Sequence, residues 1–164
     1  MQNLWAPWRS TYIQNASKNT EVNDCLFCRV TREDNDKRNY IVKRSKFSFM
    51  ILNAYPYNTG HVMVVPYRHV PSIDLLSDDE VIDLFHLVKD SMNSIRNSYN
   101  PHGFNIGINI GRVAGAGIEN HVHVHIVPRW NGDSNFMPVV SNTKVISETL
   151  EDTYVKLSKY WEKE

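Results

Sequence analysis

The stretch Glu119-Asn120-His121-Val122-His123-Val124-His125-Ile126-Val127-Pro128-Arg129-Trp130 places an imidazole at every second position. Alternation with period two marks a strand, whose successive side chains point to opposite faces. His121, His123 and His125 therefore share one face and Val122, Val124 and Ile126 the other, so the apolar face can bury against a helix or core. Imidazole ligates zinc, and because it titrates near neutrality it also serves as nucleophile, acid or base. A single histidine here would read as an ordinary solvated or hydrogen-bonded residue. Three at strand spacing, closed by Pro128-Arg129, call for a chemical reason.

Two other groups could join them. Cys25-Leu26-Phe27-Cys28 holds the only cysteines of the chain. In a reducing compartment such a pair is more often metal-binding or redox-active than a structural disulfide. A redox reading wants a preceding strand and a long following helix, whereas the flanks are Glu21-Val22-Asn23-Asp24 and a charged run, so metal is favoured. The second group is the glycine-rich loop from Gly111 to Gly117, directly before the histidines. Without a Cβ in the way, backbone N–H groups of such a loop can approach phosphate oxygens. Alone it is equally a tight turn; beside three histidines it suggests a held phosphate and an imidazole that attacks it.

These residues need elements to carry them. Tyr40-Ile41-Val42 and Phe47 to Leu52 read as strands of a hairpin turning at Lys43-Arg44-Ser45-Lys46, after a polar loop over 31–39. Asn53 to Gly60 is turn-rich, His61 to Pro66 reads as a buried strand, and His69 follows it. Ser77 with Glu80 forms a capping box, and Asp78-Asp79 suit a helix N-terminus. Val81, Leu84, Phe85, Val88, Met92 and Ile95 then give one apolar face to a helix ending near Tyr99-Asn100-Pro101, with His86 on its surface. Phe104 to Ile110 alternates as another strand, and His102 sits in a turn with no evident partner. A second helical pattern runs through Val145, Ile146, Thr149, Leu150, Tyr154, Leu157, Tyr160 and Trp161. About five antiparallel strands, a central helix and a C-terminal helix make an α+β domain.

At 164 residues, with no linker, repeat or low-complexity tract, one domain over 1–164 is expected. Eighteen basic residues balance eighteen acidic ones, which argues against a broad nucleic-acid or membrane-binding surface but leaves room for a local basic pocket. No apolar run approaches a membrane span and the start lacks a signal peptide's apolar region, so a cytoplasmic enzyme is the expectation. Trp5, Trp8 and Tyr12 suggest that residues 1–20 dock on the core or on a partner subunit, simple packing being the plainer reading.

His-x-His-x-His followed by apolar residues and Pro-Arg resembles the signature of the histidine triad (HIT) superfamily of nucleotide hydrolases and transferases. The likeness runs from about Cys25 to about Pro138. From Gly103 onward, with Ala114-Gly115-Ala116-Gly117 and Trp130-Asn131-Gly132, it is nearest the fragile-histidine-triad branch that cleaves diadenosine polyphosphates. The resemblance implies that His123 attacks the α-phosphorus to give a nucleotidyl-phosphohistidine, with His125 on the phosphate oxygens. It implies nucleotide contacts from Asn53 (ribose), His61 (the branch's fourth histidine), Asn109 (phosphate) and the loop residues Gly115 and Gly117. Some members, and the related galactose-phosphate uridylyltransferases, bind zinc at positions matching Cys25, Cys28, His69 and His121; two thiolates and two imidazoles make a closed, structural site.

The resemblance also implies a dinucleoside polyphosphate substrate, which can carry magnesium or manganese, and a homodimer whose sheets join. The loop departs from the family's Gly-Gln-Ser/Thr-Val: Gly115-Ala116-Gly117-Ile118 lacks the Gln and the hydroxyl and has one residue more before His121. Backbone amides of Gly115 and Gly117 are expected to substitute. His125 is kept where phosphorylases of another branch carry Gln, which leans towards hydrolysis. Diadenosine tetraphosphate phosphorolysis (the ATP adenylyltransferase type) and a non-catalytic nucleotide-binding module are the alternatives.

Overall fold

The computed structural model describes residues 25–135, 137, 141 and 144–162; the aromatic segment 1–20 lies outside them. In chain order the elements are α1 (Leu26–Arg32), α2 (Asp36–Asn39), β1 (Ile41–Arg44), β2 (Ser48–Leu52), β3 (Val62–Pro66), α3 (Asp78–Tyr99), β4 (Gly103–Ile108), β5 (Val124–Arg129) and α4 (Leu150–Trp161). The strands form one antiparallel sheet in the order β1-β2-β3-β5-β4, the expected α+β architecture.

Both faces of the central strands are covered, which is why β2 and β3 read as unbroken apolar runs. Register shows how the sides divide. Met50, Leu52, Val62, Val64, Val124 and Ile126 bury against α3 and α4, together with Leu84, Ile95 and Leu157. Phe49, Ile51, Met63 and Val65, the alternate positions, bury on the other side against Cys25, Phe27, Cys28 and Val30 of the α1 region. Edge strand β4 is the exception, with Ile106 44% exposed.

The capping box forms as read: Ser77 Oγ accepts from the Glu80 amide and the Glu80 carboxylate accepts from the Ser77 amide. At the far end Asn100 turns left-handed, φ 45°, and closes α3. The buried stripe of α3 is shifted from the expected one: Leu84, Leu87, Val88, Ser91, Ser94 and Ile95 are buried, whereas Phe85 is 45% exposed. Small serines let α4 approach closely, Ser94 Oγ donating to the Leu157 carbonyl, and that contact rotates the stripe away from Phe85. Leu84→Ala should therefore cost about 3 kcal/mol and Phe85→Ala no more than about 0.5, compared by urea unfolding.

Other boundaries differ for tertiary reasons. The polar run over 31–39 contains the last turn of α1 and all of α2, because its charges are paired: Asn35 caps the Arg38 amide, and Arg44 clasps Asp36 and the Thr31 carbonyl. That clasp keeps Lys43 and Arg44 in β1, so the hairpin turns later. Its turn is held by Asp83 of α3, which accepts from Ser45 Oγ, Ser48 Oγ and the Phe47 amide. The last helix begins at Leu150, capped by Thr149, and leaves Val145 50% exposed outside it. Among the described residues no helix is long and apolar enough to cross a membrane.

Candidate functional site

The histidine face is built as its alternation demands, although the regular strand starts only at Val124. Ahead of it the chain leaves the ladder, and the Val122 amide donates to the Val70 carbonyl. Val122, Val124 and Ile126 fill the helix-side core, and the three imidazoles lie on the opposite side in a row. His123 and His125 have ring centroids 4.8 Å apart. Phe27, between the two cysteines, wedges against both His121 and His123 at 5.3 and 5.2 Å. The Val122–Val70 bond also brings His69 beside His121, with ring centroids 5.0 Å apart.

At one end of the row Cys25, Cys28, His69 and His121 gather with all four ligand atoms within 4.8 Å of one another. Cys25 caps α1 and Cys28 lies one turn in, so a single helical turn presents both thiols. Three of the S···N separations are 3.3, 3.4 and 3.6 Å. A tetrahedral zinc with ordinary bond lengths sets S and N about 3.5 Å apart, so the donors already stand at the edges of such a polyhedron. His121 Nε2–H donates to the Pro66 carbonyl at 2.8 Å, which turns the Nδ1 lone pair towards the thiols, the orientation that metal-bound histidines show. Burial pushes the Cys28 thiol up to about 11, with Cys25 adding to it, and the His121 imidazole down to about 4. A thiol held neutral by burial, as at Cys28, is what a divalent cation reverses, since it stabilises the anion directly. These four residues could hold a metal ion.

At the other end the hydrogen-bond directions follow from groups that can only donate or only accept. His123 Nδ1 lies 2.9 Å from the His121 carbonyl and must carry its proton there, which leaves the Nε2 lone pair available. Burial lowers the pKa of His123, and the residue is 5% exposed, so a neutral, nucleophilic imidazole is favoured. The Tyr57 amide donates to His61 Nδ1 at 3.1 Å, so neutral His61 carries its proton on Nε2. That Nε2 lies 3.0 Å from His125 Nδ1, which accepts, so the proton of neutral His125 sits on Nε2. An acceptor nitrogen on His123 next to a donor nitrogen on His125 can attack a phosphorus and hold its oxygens.

The remaining candidates fall around this pair. Asn53 Nδ2 reaches to 3.5 Å from His61 Nε2, and its Oδ1 accepts from the Tyr55 amide. Asn109 follows β4 and braces the loop, Nδ2 to the Gly115 carbonyl at 3.5 Å. Gly115 itself takes φ 89°, and its amide is used inside the turn, donating to the Arg112 carbonyl at 2.9 Å. Register pairs His125 with Gly107, where an added Cβ would meet nothing within 4 Å, so space opens over β4 beside the histidine. His86 is exposed as expected, and His102 finds a partner after all, accepting from the Asn131 amide at 2.9 Å. Tyr57 and Phe27 were not singled out from sequence. Phe27 at least stands inside a conspicuous motif, but Tyr57 acts through a backbone amide, which leaves no trace in residue type.

Two thiols and five histidines gathered along this row agree with what sequence comparison finds. The family profile described as HIT domain matches residues 34–132. The chain belongs to the HIT domain family. A relative from Mycobacterium tuberculosis named AP-4-A phosphorylase is 39% identical over 166 residues, covering 98% of this chain and 85% of its own. Bis(5'-nucleosyl)-tetraphosphatase [asymmetrical] of Schizosaccharomyces pombe is 40% identical over 90 residues, covering 55% of this chain and 49% of its own. Both are named as enzymes. Among solved structures, a Zn-bound histidine triad family protein from Mycobacterium smegmatis superposes with a TM-score of 0.69 at 22% identity, covering 87% of this chain and 96% of that one, which shows the shared HIT fold.

Proposed function

We propose that this HIT-family enzyme cleaves a dinucleoside polyphosphate at an α-phosphate through a covalent intermediate on His123. His123 Nε2 attacks the α-phosphorus, the P–O bond to the leaving nucleotide breaks, and a nucleotidyl-phosphohistidine forms. The His125 Nε2–H donates to the phosphate oxygens as charge develops, backed by His61 and the Tyr57 amide. An acceptor then attacks the same phosphorus and restores His123. Asn53, Asn109 and the Gly117 amide are the proposed partners of ribose and phosphate; Gly115 contributes the turn. The observation that carries this reading is the alternating proton arrangement on His123 and His125.

The acceptor separates two versions of the activity. Retention of His125 leans towards water, whereas the relative matching nearly the whole chain is named a phosphorylase, which favours orthophosphate. Diadenosine tetraphosphate supplied with and without orthophosphate, with products resolved by anion exchange, decides between them. ATP with AMP in the absence of phosphate means hydrolysis; ATP with ADP only in its presence means phosphorolysis. Neither product, with nucleotide still bound, would replace both with a binding role. Any magnesium or manganese enters with the substrate phosphates.

The ion held by Cys25, Cys28, His69 and His121 is proposed to be zinc, on donor chemistry and spacing. The protein is proposed to pair through β4, where Ile106 is 44% exposed and Ile110, two residues past its end, 42%. An unpaired strand edge bearing apolar side chains is a natural template for a second copy. Light scattering that returns a monomer mass would remove this proposal.

A further inference from the structure

The loop that orients His61 is itself anchored from beyond the histidine strand. Asn58, 8% exposed, donates through Nδ2 to the Pro128 carbonyl at 3.1 Å and to Asp133 Oδ2 at 2.8 Å. The Asp133 carboxylate is 8% exposed and collects further donors: Arg129 Nε at 2.6 Å, the Trp130 amide at 3.2 Å and, on Oδ1, an Arg129 Nη at 3.0 Å. Arg129 also reaches Asn105 of β4, so the node joins the ends of β4 and β5 to the loop. The Arg129 guanidinium holds the Asp133 carboxyl well below the usual carboxylate range, and it stays an acceptor. On the loop side, Asn58 is adjacent to Tyr57 and its carbonyl accepts from the His61 amide at 3.2 Å. Gly60, φ +75°, leaves no slack, since a Cβ there would meet Pro128 at 3.3 Å and Tyr99 at 3.5 Å. The Tyr57 ring then lies 4.6 Å from the His61 ring and 5.8 Å from that of His125.

We infer that Asp133 and Asn58 form a clamp that positions the Tyr57 amide on His61, and so decides which nitrogen of His125 presents a proton to the substrate phosphate. Neither residue touches the proposed substrate; both are positioning residues, and their role rests on the function proposed above. The reason is directional. The amide can donate to His61 Nδ1 only while the loop is held against Pro128, and Asn58 is the side chain that holds it there. Without that donor, neutral His61 can place its proton on either nitrogen. In the form with Nδ1–H it can no longer donate to His125, and the His125 donor aimed at phosphate is lost from part of the population. Such a fault reduces transition-state stabilisation more than ground-state binding, so it appears in kcat rather than KM.

The test uses the full chain, uniformly labelled with nitrogen-15, and reads ring tautomers from long-range proton–nitrogen correlation spectra, with His61 assigned through His61→Gln. His61 should be a single Nε2–H tautomer in the native protein. In Asp133→Ala its ring nitrogens should move towards the average of both tautomers, and kcat should fall tenfold or more with KM within threefold. Asp133→Asn, which keeps an oxygen for Asn58, should recover most of both. If Asp133→Ala fails to fold, Asn58→Ala carries the same test, because it leaves the Arg129–Asp133 pair in place. An Nδ1–H tautomer in the native protein, or a fall in kcat with the His61 tautomer unchanged, would overturn the clamp. The spectra need no turnover. A native protein inactive on diadenosine tetraphosphate but showing the tautomer change would sink the proposed function and leave the clamp standing.

Discussion

His123→Asn is expected to lower turnover of diadenosine tetraphosphate by at least ~10⁴-fold, because it removes the atom proposed to form the covalent bond and leaves only binding and positioning behind. Affinity for nucleotide should stay within about threefold, since the imidazole is 5% exposed and its Nδ1–H is committed to the His121 carbonyl. An amide side chain can keep that bond to the carbonyl while offering no nucleophilic nitrogen. Turnover by chromatography and binding by calorimetry check the two halves. A substrate labelled at the α-phosphate should leave acid-labile label on the native protein and none on the variant. Retained turnover in His123→Asn would move the nucleophile elsewhere, and the donor geometry of His125 makes that residue a poor replacement.

Stripping the metal should produce the largest change in stability. If the ion is present at roughly a thousand times its dissociation constant, it contributes about 4 kcal/mol to the folded state. In a domain of this size that corresponds to a fall in Tm of about 8–16 °C. Cys28→Ser should reproduce the fall, because the thiol faces both His69 and His121 at 3.4 and 3.6 Å and a hydroxyl is a poor zinc ligand. The measurement is scanning calorimetry with and without a strong chelator, alongside metal analysis of the purified protein. An unchanged Tm after full chelation, or no bound metal, would mean that the four residues only pack. The loss should also slow turnover. His121 joins the two ends of the row, with its ring at the thiols and its carbonyl under the proton of His123.

Much of this was readable before any coordinates. His-x-His-x-His assigns faces because side-chain alternation in an extended chain is a local property, and the same holds for the Ser77–Glu80 box and the stop at Asn100. Cys25 and Cys28 announce a pair of thiols three residues apart, whereas the helical turn that presents both appears only in the fold. What the chain alone left open depends on segments far apart in sequence. Phe85 and Leu87 both suit an apolar face, and only the approach of α4 over Ser94 selects Leu87. The paired charges of Asp36 and Arg44 turn a polar run into a helix against a strand, and no local count of charges shows which of them meet.

At the site the division is sharper. Residue types and spacing determined that imidazoles would line one face and that the two thiols favour a metal; which histidines complete that centre came from the family resemblance. Tertiary structure decided which nitrogen of each imidazole carries the proton, because that choice follows from the Tyr57 amide and the His121 carbonyl, backbone groups that every residue possesses. It also decided that the Gly115 amide would close its own turn. A side-chain pattern can announce which chemistry is available, whereas the direction of a hydrogen bond is set by where the folded backbone aims its donors and acceptors.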